Sequence, residues 1–358
     1  MDYNSTGPLS KSVKAFLNEG LDFFNPSSTH PLGKSAHHAV SEVDEFLFSF
    51  FEMSKDEYNL FFHSGATESI STFFKGPLLH FKDDYALFTS KLDHAAVKEN
   101  SNVAQEFGAH TDSIENAQSF KKYNLANITA VNNETGRVAD AALIRELKDK
   151  GVYVHIDASQ LPFRISDWKS RFAGADYYTF SGHKFGAMKG SGFSFVKKDA
   201  PFFPLLSGGG QQSSMRSGTE NVPAVVSIKK ALEEYSSIEV ESVAKARDQF
   251  EQNLSLEFKN KIRFIDSDIE RSSNTSLLFF EGLKSDFAQL LFSQKGVIVG
   301  LGPACSKGLM KPSEVLQALG LSELETKQTI RVSFPIDFDI QEIDKLIKIF
   351  VETLKTVS

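Results

Sequence analysis

Short apolar runs alternating with helical patterns constrain this chain more than any other feature. Tyr58-Asn59-Leu60-Phe61-Phe62, Tyr85-Ala86-Leu87-Phe88-Thr89, Ile128-Thr129-Ala130-Val131, Val152-Tyr153-Val154-His155-Ile156 and Asp176-Tyr177-Tyr178-Thr179-Phe180 each read as a strand, rich in aromatic and β-branched residues. Phe193-Ser194-Phe195-Val196 reads as a return strand. Val40, Val43, Phe46, Leu47 and Phe50 have helical spacing, as do Leu143, Ile144 and Leu147, which Gly151 closes. Another helix is expected from Asp93 onward, carrying Val97, Asn100, Val103, Ala104 and Phe107. This order predicts an α/β fold: a mostly parallel sheet with helices on both faces. In such sheets the active site lies outside the carboxyl ends of the strands.

A length of 358 residues suggests two domains. The pattern changes near Ser236 to a charged helix, strands near Arg263–Ile265 and Ser276–Phe280, and a helix with Phe287, Leu290 and Leu291. The expected division is a large domain over 12–235 and a smaller α+β domain over 236–358, joined by 1–11. A net charge of −7 argues against nucleic acid as a partner. The first residues lack a basic segment followed by an apolar one, and no apolar run approaches membrane-spanning length. A cytoplasmic location without membrane association is therefore expected.

Several polar residues fall where strands end. Ser181-Gly182-His183-Lys184 follows one strand, and a lysine there can lose its proton and attack a carbonyl. His63-Ser64-Gly65-Ala66-Thr67-Glu68-Ser69 joins a strand to a helix start, a geometry that aims backbone N–H groups at an anion. His94 opens a helix, where it could stack on a flat ligand or move protons. Asp157 ends a buried strand and needs a partner for its carboxylate. Arg331 sits within the apolar strand Ile330–Phe334, and its fork suits a carboxylate. Cys305, the one cysteine, lies among Gly, Pro, Ser and Lys, a composition suited to a mobile arm, and Lys307 would favour its thiolate. Taken singly, each has a plainer reading as a surface lysine, a capping histidine or a buried thiol.

Taken in order, these segments resemble the cysteine desulfurases, in the NifS/IscS branch of the class V aminotransferase superfamily. The match runs almost end to end. It is carried by Asn4-Ser5-Thr6, Ser64-Gly65-Ala66-Thr67-Glu68-Ser69, Asn132-Asn133-Glu134-Thr135-Gly136, Asp157-Ala158-Ser159-Gln160, Ser181-Gly182-His183-Lys184, Arg216-Ser217-Gly218-Thr219-Glu220-Asn221, Ala304-Cys305-Ser306 and Ile330-Arg331-Val332-Ser333. One departure is Gly7, where the family usually has a second threonine after Thr6.

The resemblance implies a fold-type I enzyme using pyridoxal 5'-phosphate. Lys184 would carry the cofactor and transfer protons. Asp157 would pair with the ring nitrogen, and His94 would stack on the ring. Gln160 and Asn132 would bond ring substituents. Ala66, Thr67, Ser181 and His183 would hold the phosphate, with Thr219 reaching in from a second copy of a homodimer. Arg331, helped by Asn4 and Asn132, would grip the carboxylate of L-cysteine, and Cys305 would take its sulfur as a persulfide, leaving L-alanine. No metal site is implied, Cys305 touching an iron–sulfur cluster only during transfer. The sulfur would pass to an iron–sulfur scaffold or a tRNA thiolation enzyme. A transaminase, a selenocysteine lyase and a non-catalytic cofactor-binding scaffold are the alternatives.

Overall fold

The apolar runs form a seven-stranded sheet. Its strands are β1 (Tyr58–His63), β2 (Tyr85–Ser90), β3 (Ala104–Phe107), β4 (Tyr123–Thr129), β5 (Tyr153–Asp157), β6 (Tyr177–Ser181) and β7 (Gly192–Lys197), in the order β1-β7-β6-β5-β4-β2-β3. β2 to β6 pair in parallel, whereas β7 runs antiparallel to both β6 and β1. The computed structural model describes residues 1–100, 121–301 and 312–357 in full, and the backbone of 104–107, 305–306 and 309–310.

Helices cover both faces, which is why the strands are apolar at successive positions rather than alternating. Phe62, Phe88, Ala126, Val154, Tyr178 and Phe195 point into one layer, with Val43, Leu47, Ile228 and Leu232 from the helices Pro31–Phe50 and Val222–Tyr235. Phe61, Leu87, Leu125 and Tyr177 point into the other, with Ile70, Phe73 and Phe74 from the helix Ala66–Phe81.

A second, antiparallel sheet holds β8 (Ile262–Phe264), β9 (Thr275–Phe280), β10 (Gly300–Leu301) and β13 (Thr329–Ser333), in the order β10-β13-β9-β8. A hairpin pairs β11 (Cys305–Ser306) with β12 (Leu309–Met310). The second sheet has its own core, including Phe250, Leu278, Phe280, Phe292, Val332 and Phe350. It packs against the helices Val240–Phe258, Ser285–Gln294 and Ile343–Val357.

One expected element is different. The helix beginning at His94 covers only Ala95–Lys98, and Ala104–Phe107 is the edge strand β3, parallel to β2. Asn100-Ser101-Asn102 breaks the helical pattern, and apolar spacing over so few residues does not separate helix from strand.

The first ten residues strap the two sheets together. Asp2 bridges to Ser333, and Ser333 N donates to Met1 O at 2.9 Å. Further along, Gly7 N donates to His183 O at 2.8 Å, and Ser10 N donates to Gly186 O at 2.9 Å. A side chain at position 7 would set its Cβ 3.1 Å from His183 O and 3.3 Å from Lys184 O, so Gly7 lets the strap lie against the lysine turn.

Candidate active site

The carboxyl ends of β4, β5 and β6 open into a cavity of about 760 Å³, which the strap and Arg331 of β13 line from the other side. Lys184, Asp157, His94, Gln160, Ala66, Thr67, Ser181, His183, Arg331 and Asn4 all border it.

Lys184 ends the 3-10 turn Gly182–Lys184 that follows β6. Its Nζ donates to Asn4 O at 2.7 Å and to Ser5 O at 2.8 Å, so its protons point at the strap. Burial pushes the amine down to about 8; Arg331 and Arg164 add to this, and Asp157 and Asp2 oppose it. Such an amine is a far better nucleophile near neutral pH than a surface lysine.

Asp157 ends β5, is buried, and accepts Ser159 N at 3.0 Å. Gln160 Nε2 donates to Asn4 O at 2.7 Å. Gln160 Oε1 and Ser159 Oγ are buried on the cavity wall with no hydrogen-bond partner. A buried polar atom left unpaired is costly, so a polar ligand is expected there.

His94 faces the cavity and caps the helix Ala95–Lys98 by accepting Ala96 N at Nδ1, at 3.0 Å. With Nδ1 an acceptor, the neutral ring carries its proton on Nε2. Burial lowers its pKa, and Asp157 opposes that. Beside it, Asp93 is buried and pushed up to about 6 by burial, although Thr129 and Ser90 N hydrogen-bond its carboxylate.

Also lining the cavity, the sixteen-residue helix Ala66–Phe81 begins without a side-chain cap. Ala66 and Thr67 lie in its first turn, where uncapped N–H groups and the helix dipole favour an anion. Ser181 is buried nearby, and His183 Nδ1 pairs with Thr6 Oγ1 at 3.1 Å. Burial, then Lys184 and Lys189, hold His183 down to about 4, so it meets a ligand as a neutral ring. Burial works against the charge of Glu68 in the same turn, but hydrogen bonds from Arg216 and Ser64 outweigh it and hold its carboxyl at about 2.

A polar chain behind the wall ties the helix start to the His94 turn. Gly65 N donates to His63 Nδ1 at 3.2 Å, and His63 Nε2 meets Ser194 Oγ at 3.0 Å. Ser194 meets Ser69 at 2.6 Å, Ser69 meets Thr179 at 2.8 Å, and Thr179 meets His155 Nε2 at 2.8 Å. His155 Nδ1 meets Asn127 Oδ1 at 2.7 Å, Asn127 Nδ2 donates to Thr129 Oγ1 at 3.3 Å, and Thr129 donates to Asp93 at 2.7 Å. With Gly65 N–H at one end and a carboxylate at the other, every donor runs in the same direction. Burial keeps both imidazoles well below the usual histidine range.

Two expected substrate ligands are hydrogen-bonded within the cavity wall. Asn132 Nδ2 donates to Leu92 O, and its Oδ1 accepts Glu134 N and Thr135 N, which builds the turn after β4. Asn4 Nδ2 donates to Asn133 O and Thr275 Oγ1, while its Oδ1 accepts Asn274 Nδ2. These amides brace the cavity wall, and Asn4 also presents its backbone carbonyl to Lys184 and Gln160. Arg331 is partly engaged as well: Nη1 donates to Asn133 O at 2.9 Å and Nη2 to Asp2 Oδ1 at 2.6 Å, while Nε is buried and unpartnered.

Thr219 is exposed in the loop before the helix Val222–Tyr235, outside the cavity of its own chain. Cys305 begins the β11–β12 hairpin; its side chain, with Ala304, Lys307 and Lys311, lies outside the described residues. Sequence reasoning missed Asp2, Asp93 and Arg164. Asp2 stands in a polar N-terminal stretch, and the other two follow apolar residues, none of them with a motif of its own.

The chain belongs to the class V aminotransferase family, whose model matches residues 8–346. Within that family it stands with the cysteine desulfurases. It is 30% identical over 383 residues to a cysteine desulfurase of Nostoc sp., covering 100% of this chain and 94% of that protein. A NifS-like protein from Rickettsia africae has the same fold, with a TM-score of 0.86 at 25% identity, over 99% of this chain and 98% of the other. A structure described as SspA in complex with cysteine matches 93% of this chain and 97% of its own, with a TM-score of 0.74 at 25% identity. Among the described residues, no helix is long and apolar enough to cross a membrane.

Proposed function

We propose that this chain is a pyridoxal phosphate-dependent cysteine desulfurase that converts L-cysteine to L-alanine and retains the sulfur as a persulfide on Cys305. One observation carries the reading: a lysine amine, depressed by burial to about 8, shares a cavity with a buried carboxylate and an uncapped helix start. The residues present fit the cofactor. Ala66, Thr67, Ser181 and His183 would hold its phosphate, Asp157 its ring nitrogen and His94 its face, while the unpaired Gln160 and Ser159 atoms offer polar contacts. When bound, the cofactor supplies an electron sink conjugated to the α-carbon of the substrate.

The remaining work falls to this chain's side chains. Arg331 orients the substrate carboxylate through the guanidinium positions that Asp2 and Asn133 leave free. Nζ of Lys184 takes the α-proton, which requires the neutral amine that burial favours. His94 Nε2 carries a proton at the same face. The thiolate of Cys305 attacks the substrate sulfur: the S–S bond forms as the carbon–sulfur bond breaks, the carbon takes up a proton, and alanine leaves.

The position of the hairpin along the chain supports this role for Cys305. Gly300 pairs with Arg331 across β10 and β13. Cys305 is five residues further on, at most about 18 Å of extended chain. On the far side, Ser313 donates to Glu134 of the turn after β4, at 2.6 Å. Both ends of the segment are thus anchored at the cavity rim.

A cytoplasmic homodimer and a sulfur-accepting protein complete the proposal. Exposed Leu21, Phe23, Phe24 and Leu32, with Thr219 outside its own cavity, support a second copy. The test supplies L-cysteine and a thiol reductant to the pyridoxal phosphate-loaded protein and measures alanine and sulfide. Alanine should form, and both Lys184→Ala and Cys305→Ala should abolish it, with only the lysine variant losing the visible absorbance of the bound cofactor. Undiminished turnover by Cys305→Ala would overturn the reading in favour of a transaminase-like enzyme.

A further inference from the structure

Arg164 lies behind the lysine turn and is among the largest fully buried side chains, at 2% exposure. Its Nη2 donates to the backbone carbonyl of Lys184 at 3.3 Å, and its Nη1 has no hydrogen-bond partner. Among the described residues no carboxylate forms an ion pair with it. Arg164 lines a crevice of about 10 Å³ with Tyr3, Lys184, Tyr235 and Asp337, room for one water at most. A buried cation without a counter-ion is costly, and other arginines in this chain avoid it: Arg271 pairs with Glu251, and Arg137 with Asp266.

We propose that Arg164 is a positioning residue that acts on Lys184 from behind: its backbone bond fixes the lysine turn, and its uncompensated charge favours the amine over the ammonium. The assignment rests on Lys184 being the cofactor-carrying amine. The other charged or titratable groups around Lys184 are Asp157 at the end of β5, Arg331 on β13, Asp2 on the strap, His94, its neighbours His183 and Lys189, and, across the crevice it shares with Arg164, Tyr3, Tyr235 and Asp337. Asp157 and Asp2 favour the ammonium; Arg331 and Arg164 disfavour it. Of the two arginines Arg331 has the larger effect on the amine, but it is ion-paired with Asp2, whereas Arg164 acts from a fully buried position with no carboxylate in ion-pair contact.

The test titrates Lys184 in the full-length chain purified without pyridoxal phosphate, by competitive acetylation across a pH series with peptide mass spectrometry, using the exposed Lys75 as internal reference. It needs neither cofactor nor turnover, so its result is independent of whether the chain proves to be a desulfurase. In Arg164→Gln and Arg164→Met the Lys184 midpoint should move to higher pH by roughly half a pH unit or more, while Lys75 stays put. Arg164→Lys, which keeps a cation, should stay closer to wild type. Removing an unpaired buried charge should leave the melting temperature unchanged or raised. An unmoved midpoint in the neutral variants, an equal move in Arg164→Lys, or unfolding of both neutral variants would overturn the proposal, the last because it would make Arg164 a packing strut.

Discussion

Asp2 and Arg331, 329 positions apart in sequence, form an ion pair with Oδ1 2.6 Å from Nη2. The pair needs a glycine across from it. A Cβ at position 300 would lie 2.7 Å from Asp2 Oδ1 and 2.9 Å from both Nε and Nη2 of Arg331. Gly300→Ala should therefore push the guanidinium out of place without removing any charge. The KM for L-cysteine should rise about tenfold, in keeping with one charge-assisted hydrogen bond, with little change in melting temperature. Steady-state kinetics with L-cysteine check this; an unchanged KM would mean that the fork does not hold the substrate carboxylate.

The amine of Lys184 has a definite pH signature. Its folded pKa is about 8, below the ordinary lysine value of 10.5. Between those values the unfolded chain binds more protons than the folded one, so stability without cofactor should rise with pH across that window. Below pH 8 both states are protonated, and the cost of burying the ammonium is fully present. Chemical denaturation of wild type and Lys184→Met at pH 7.5 and 9.5 measures the difference: the wild type should gain on the variant at the higher pH. A constant gap would show that Lys184 titrates as an ordinary lysine.

Thr179 occupies the middle of the polar chain, between Ser69 and His155, and is fully buried. Thr179→Val keeps the shape and removes the hydroxyl, so His155 Nε2 loses its donor and Ser69 its acceptor. The expected cost is about 1–3 kcal/mol in denaturant unfolding. Pyridoxal phosphate affinity, followed by absorbance, should weaken as well, because the chain supports the start of the helix at Ala66. Stability within a few tenths of a kcal/mol of wild type would show that water replaces the hydroxyl.

The parts of the fold that follow one rule at a time were legible in the sequence. Strands buried on both faces read as apolar runs, and Lys184, Asp157 and the Ala66 helix start fall at their carboxyl ends. Ala104–Phe107 was not legible, since an edge strand so short carries no period of its own. The bracing bonds of Asn4 and Asn132 were also hidden, because they depend on Leu92 O, Thr275 and Asn274, which lie far from these residues in the sequence. Asp2 and Arg164 gain meaning only from partners far along the chain, and short-range pattern cannot carry that.

The strap makes the site depend on both sheets at once. Lys184 meets the carbonyls of Asn4 and Ser5, and Asp2 meets a strand that ends at Ser333. The pocket is therefore a clasp between segments 329 positions apart. However well the central sheet has formed, the guanidinium side of that clasp is missing until the second sheet has folded against the strap, so capture of the carboxylate waits on both sheets.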